Sequence, residues 1–289
     1  MTGAHAWLPH ADCDAGCVRA GADEPGRPVA RAARTLLRVT LLVTLLPVLL
    51  LPAVLVRLVP APPRTERARP AALLQRISCR LLLRVLGVRL AVSGGPIRNL
   101  PGVLVVSGHV SWLDTLAIGA VLPGEFVAKA ELVRWPLIGR LTRLLPVIPI
   151  DRHSLRRLPR VVDAVAERLR GGRTVVAFPE GTTWCGLARG RFRPALFQAA
   201  VDAGRPVQPL RLSYHHRGGR RSTVPAFVGD DTLLRSLLRV IAARRTVCRV
   251  QVAELQLPTG DRRELARRCQ AAVHGRIPAP RPHRPVVAA

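Results

Sequence analysis

The chain has 289 residues, enough for one substantial α/β domain with added segments or for two small domains. Its 45 Lys+Arg against 18 Asp+Glu leave a net charge of +27, nearly all of it arginine, with Lys129 the only lysine; that balance favours an anionic membrane surface or phosphorylated substrates. Aromatic residues make up only 3%, too few for base-stacking modules, and no RNA-recognition, zinc-finger or basic-zipper pattern is present, so no nucleic-acid partner is expected.

Residues 1–34 are rich in Gly, Ala, Pro and Arg without a sustained period and read as a flexible basic leader. Cys13 and Cys17 in this leader, near His5 and His10, imitate half of a zinc site. No second ligand pair follows, so no metal is expected. The six scattered cysteines, with no secretory cleavage signal before them, suit a reduced cytosolic setting.

An uncharged run over 39–56 follows, bounded by Arg38 and Arg57. It is long enough to cross a hydrocarbon core of about 30 Å. Pro47 and Pro52 would kink it, which leaves a spanning helix and a re-entrant hairpin both open. Arginines flank it on both sides, so charge chooses no orientation. After a Pro-rich linker at 60–63, apolar Leu73, Leu74, Ile77, Leu81, Leu82 and Val85 recur at helical spacing, with Arg76, Arg80 and Arg84 on another face. This reads as an amphipathic helix whose cations meet headgroups, or equally one that packs on the next domain. Residues 35–84 are thus expected to be a membrane-associated helical segment.

Strand and helix signals then alternate over 85–276. Strands are expected at 88–92, 103–107, 125–128, 147–150, 173–178, 207–213 and 247–255. Helices are expected at 114–121, 135–144, 154–169, 194–203, 233–243 and 261–273. A disordered Pro/Arg tail closes the chain at 277–289. His215-His216 reads as a loop pair.

Two loops at strand ends hold the polar residues that stand out. In the first, Gly108-His109-Val110-Ser111-Trp112-Leu113-Asp114, residues five apart lie about 140° from each other on a helix, so His109 and Asp114 would not meet on one. If His109 precedes the helix and Asp114 sits in its first turn, the carboxylate folds back onto Nδ1 and frees Nε2 to take a proton. Asp114 as a plain helix cap remains the alternative. Ser111 is read as holding the turn rather than as a nucleophile. The second loop, Phe178-Pro179-Glu180-Gly181-Thr182-Thr183, offers N–H groups and hydroxyls to an anion, or is an ordinary turn.

Taken together the two loops resemble the signature of the glycerolipid acyltransferase family, to which the lysophosphatidate acyltransferases belong. The family's His-x4-Asp block is matched at His109 and Asp114, and its Phe-Pro-Glu-Gly-Thr block at Phe178–Thr182. Its intermediate block is matched by Lys129-Ala-Glu131-Leu132 with Pro136-x-x-Gly139, and its proline-containing strand by Val207-Gln-Pro209-Leu210. The resemblance implies an α/β fold with a mixed, largely parallel sheet flanked by helices, behind an N-terminal apolar membrane-associated segment. It implies an O-acyltransferase on the cytoplasmic face of the cell membrane that works on an anionic membrane surface. The enzyme would carry a fatty acyl group from acyl-CoA or acyl-carrier protein to the sn-2 hydroxyl of 1-acylglycerol-3-phosphate, with no cofactor. His109 would be the base and Asp114 its partner. Lys129, Glu180, Gly181, Thr182, Thr183 and Arg193 would serve the lyso-lipid acceptor, with Arg140 a further phosphate contact. Thr183 stands where phosphate-binding members usually carry arginine. That departure keeps another acceptor open, such as lyso-ornithine lipid, as well as a non-catalytic basic membrane-binding protein of the same fold.

Overall fold

A computed structural model describes residues 8–20, 28–58, 64–96, 100–131 and 147–275. The segments expected at 135–144 and 277–289, with Arg140 and Pro136–Gly139, lie outside the described residues.

The sheet has seven strands: β1 (Val88–Gly94), β2 (Leu104–Ser107), β3 (Glu125–Lys129), β4 (Val147–Ile150), β5 (Val175–Ala177), β6 (Val207–His216) and β7 (Thr246–Val252). Their order across the sheet is β1-β7-β6-β2-β5-β3-β4. Every neighbouring pair is parallel except β6 and β7, so the expected mixed, largely parallel sheet is present. β2 lies in the middle, paired with β5 on one side and β6 on the other. Its four residues are all buried, which is why it reads as an unbroken apolar run rather than an alternating one.

Alternation along β2 and β5 divides the core. Leu104, Val106, Val175 and Ala177 join one cluster, while Val105 and Val176 join the other. The first is covered by α5 (Leu158–Arg170), α6 (Phe197–Ala203) and α8 (Arg262–His274). The second is covered by α3 (Arg64–Val85), α4 (Leu113–Gly119) and α7 (Leu233–Ala242). A short 3-10 turn at Leu155–Arg157 leads into α5.

Three expectations change and one is narrowed. The leader is not featureless: α1 (Ala15–Ala20) forms in it, and Cys13 and Val18 are buried in the core. The apolar run belongs to one continuous helix, α2 (Pro28–Leu58), that begins well before residue 39 and carries both prolines inside it. Its Pro28–Leu49 stretch is long and apolar enough to cross a membrane, and none of that window is buried against the rest of the protein. α2 is tied to the domain by Arg38, whose guanidinium donates to the carbonyls of Ile241 (2.7 Å), Ala243 (2.6 Å) and Arg244 (3.1 Å) at the end of α7. Cations suit that negative end of a helix dipole.

α3 takes the second of its two readings and packs on the domain. Arg76 and Arg80 donate to the carbonyls of Val121 and Ala120 just past α4, and Cys79 and Leu83 enter the core, while Leu73, Ile77 and Arg84 stay exposed. Finally, His215 and His216 are the buried last residues of β6, not a loop.

Phe197 is fully buried beneath the central strands. Phe197→Ala is expected to cost about 3–5 kcal/mol through lost burial and the cavity left behind, read as a lowered denaturation midpoint at unchanged slope.

Candidate active site

The carboxyl ends of β2 and β5 open into the two loops picked out by the sequence, at the edge where parallel sheets place their sites. After Ser107 the chain runs through His109 without regular secondary structure and enters α4 only at Leu113. This is the arrangement that lets residues five apart meet: His109 Nδ1 lies 2.9 Å from Asp114 Oδ2.

Asp114 is completely buried, yet it is not alone. Oδ2 also accepts from the backbone N–H of Val110 (2.6 Å) and Ser111 (2.8 Å), and Oδ1 accepts from the Tyr214 hydroxyl (2.6 Å). Two backbone N–H groups and a phenol already donate to these oxygens, so the carboxylate meets His109 as an acceptor with nothing to donate. The Nδ1 facing it must then carry the hydrogen, and Nε2 is left as the acceptor. Burial, and next the charge of Asp114, hold the Tyr214 phenol well above its usual pKa, so it remains a donor. Asp114 thus folds the loop preceding its helix instead of capping the helix itself. Ser111 keeps the turn, its Oγ accepting from Leu113 N and its carbonyl from Asp114 N.

The second loop fixes the other side of the imidazole. Phe178, the residue after β5, stacks on His109 with ring centroids 3.9 Å apart and planes 13° from parallel. The buried Glu180 accepts from His109 N through Oε2 (2.7 Å) and from Gly190 N through Oε1 (3.0 Å). His274 Nε2 lies 3.3 Å from the same Oε1. Trp184 N donates to the His109 carbonyl at 2.7 Å. Both ends of the His109 peptide unit are therefore held by the Phe-Pro-Glu-Gly-Thr loop.

These contacts sort the expected substrate residues. Glu180 spends both oxygens on the chain itself, so it positions His109 rather than reaching outward. Thr183 donates its hydroxyl to the Phe227 carbonyl, which turns it into the protein as well. Gly181 adopts φ +75, and a Cβ there would meet Pro9 Cγ at 2.6 Å, so glycine is required both by the turn and by the leader packed on it. Thr182 is half-buried on the same turn, and Arg193 is exposed beside it with its N–H on the Pro179 carbonyl. Lys129 ends β3, separated from β2 by β5. Arg152, which the sequence reading passed over, lies just past β4; burial lowers its pKa to about 10, with Glu131 opposing. Phe178 and Tyr214 were also missed as site residues. Tyr214 is the chain's only tyrosine, but nothing local in the sequence points it at Asp114, 100 residues away.

Residues 89–213 match the family model described as Acyltransferase. Over 149 residues the chain is 39% identical to a 1-acyl-sn-glycerol-3-phosphate acyltransferase of Neisseria meningitidis serogroup B, covering 52% of this chain and 58% of that protein. It thus spans less than two thirds of that relative's length. Over 208 residues it is 30% identical to a lyso-ornithine lipid O-acyltransferase of Rhodobacter capsulatus, covering 68% of this chain and 73% of that one. The crystal structure of the LPA acyltransferase PlsC from Thermotoga maritima has the same fold, with a TM-score of 0.60 at 20% identity over 86% of this chain and 95% of that one.

Tyr214→Phe leaves one oxygen of a buried carboxylate without its donor. The expected cost is about 1–3 kcal/mol of stability, measured as a lowered unfolding midpoint.

Proposed function

Given that the chain belongs to the acyltransferase family, we propose that it transfers a fatty acyl group from a coenzyme A or acyl-carrier-protein thioester to the sn-2 hydroxyl of 1-acylglycerol-3-phosphate. The observation that carries this reading is the His109 Nδ1–Asp114 Oδ2 contact at 2.9 Å, with Nε2 left free to accept a proton. The acceptor hydroxyl gives its proton to Nε2 as its oxygen attacks the thioester carbonyl. The carbon–sulfur bond then breaks, and the leaving thiol takes the proton back from the imidazolium. No covalent acyl-enzyme is required.

Asp114 orients the ring and stabilises the imidazolium. Phe178 holds the ring plane, and Glu180 fixes the His109 backbone. The acceptor phosphate is assigned to the cations beyond β5. Strands lie about 4.8 Å apart, so β3 is roughly 10 Å from β2. A lysine side chain and a glycerol backbone together bridge that interval, and Arg152 adds a second cation near Lys129, with the Glu131 carboxylate acting on both. Arg193 stands against the glycine turn, its Cδ 3.8 Å from where a Gly181 Cβ would lie. With Thr183 turned inward, no guanidinium occupies the position directly after Thr182, which favours a lyso-ornithine lipid as the second acceptor to test.

The site belongs at the cytoplasmic face of the cell membrane. α2 and the outward-facing Leu73 and Ile77 would enter the bilayer. The groove of ≈ 670 Å³ lined by Arg38, Arg80, Arg84, Arg89, Arg244 and Arg245 would face anionic headgroups.

His109→Ala in purified protein is expected to lower thioester-dependent acylation of lysophosphatidate by about 10²–10⁴-fold, assayed at a temperature where circular dichroism shows the variant still folded. Retention of wild-type turnover would remove the proposed base. Lys129→Ala is expected to raise KM for lysophosphatidate more than for lyso-ornithine lipid, compared in the same micelles.

A further inference from the structure

Acyl transfer has no use for Cys13 and Cys17, yet folding brings a third thiol to them from far along the chain. The ligand atoms of Cys13, Cys17 and Cys185 all lie within 4.8 Å of one another. Tetrahedral zinc, with Zn–S bonds of about 2.3 Å, keeps its sulfurs roughly 3.8 Å apart, so closing the triad on an ion takes side-chain movements of about an ångström.

The sulfurs are shielded from water: Cys13 and Cys185 are buried and Cys17 is half-buried. Without an ion burial keeps Cys13 a thiol, pushing its pKa up to about 12, so a bound cation is what would make it a thiolate. Cys185 N donates to Cys13 Sγ at 3.4 Å, and Ala188 N to Cys185 Sγ at 3.5 Å. Such N–H donors offset negative charge on sulfur in the way outer contacts do around metal ligands. Gly186, at φ +87, makes the sharp turn that aims the Ala188 N–H back at the sulfur. Cys13 and Cys17 fall within the spacing of zinc-binding pairs, and Asp14 Oδ1 fixes the intervening turn by accepting from Gly16 N (2.8 Å) and Cys17 N (3.3 Å).

The segment these residues hold down is otherwise weakly anchored. From residue 8 to 18 only Cys13 and Val18 are fully buried, with one further tie from the Thr223 hydroxyl to the Val18 carbonyl. That is little apolar surface to set against the entropy of ordering eleven residues. Three thiols also leave one over if two pair, and a reducing compartment turns clustered cysteines toward metal rather than disulfide.

We propose that Cys13, Cys17 and Cys185 bind a Zn²⁺ ion as three thiolates, with water at the fourth position. The ion pins the N-terminal segment to the loop that follows Thr183. The three thiol protons are released to solvent as the ion binds. The site is structural: it holds Pro9 over Gly181 and thereby supports the turn that carries Glu180.

The test uses the full chain, purified in detergent under a phosphine reductant and without chelator. Elemental analysis is expected to find one zinc per chain, and Co²⁺ exchanged into the site to show visible d–d bands with near-ultraviolet thiolate-to-cobalt charge transfer. Cys17→Ser, at the least buried of the three positions, is expected to weaken metal affinity by well over about tenfold, whereas Cys79→Ala keeps the zinc. Chelator should lower the melting temperature of the wild type and leave that of Cys17→Ser unmoved. The proposal is overturned if the wild type holds no more zinc than its buffer, or if Cys17→Ser binds Co²⁺ as the wild type does. A disulfide between any two of the three in protein isolated with its thiols trapped would overturn it too.

Discussion

One buried carboxylate organises the functional end of this molecule. Asp114, fully buried, collects an imidazole, two backbone N–H groups and a phenol. A carboxylate without partners at that depth would be protonated or would unfold the loop. With these partners it serves as an acceptor on both oxygens, and that decides which nitrogen of His109 holds the hydrogen. The stacked Phe178 ring and the Glu180 bonds then leave the imidazole little freedom except at Nε2. The chemistry follows from a hydrogen-bonding balance that the sheet enforces: β2 delivers His109, β5 delivers Phe178 and β6 delivers Tyr214, and these three strands are neighbours at the centre.

Much of this was legible in the sequence because each strand buried on both faces leaves an unbroken apolar signature, and because the polar residues at their ends are few. Helical geometry left His109 and Asp114 able to meet only if the histidine preceded the helix, and the family resemblance chose that reading over a plain cap. Tyr214 could not be paired in this way, since its partner lies 100 residues away and only the parallel pairing of β2 with β6 brings them together. Glu180 looked like an acceptor-binding group because a charged residue at a strand end usually faces a ligand. It turned out to bond backbone N–H groups, which carry no side-chain signal.

The N-terminal side was less legible in the sequence. A helical stripe of arginine says which residues are together but not which way the stripe faces. In α3 the carbonyls just past α4 take Arg76 and Arg80 while Cys79 and Leu83 enter the core, and only that contact selects packing on the domain over a free amphipathic face. The leader was misread for a related reason: composition alone reports how little it can bury, whereas its order depends on contacts with Gly181, Thr223 and Cys185 that are remote in sequence. Residues 8–20 and the Phe-Pro-Glu-Gly-Thr loop are in contact through Pro9 and Gly181, which connects the ordering of that segment to the geometry of the site.

The central claim is that Asp114 fixes the hydrogen of His109 on Nδ1 and leaves Nε2 open. Side-chain ¹⁵N spectra of histidine-labelled protein, with the His109 signals identified by their loss in His109→Gln, read that tautomer directly. The account predicts the Nδ1–H form for the neutral ring in the wild type and a mixed population in Asp114→Asn. A wild-type ring carrying its hydrogen on Nε2 would contradict it.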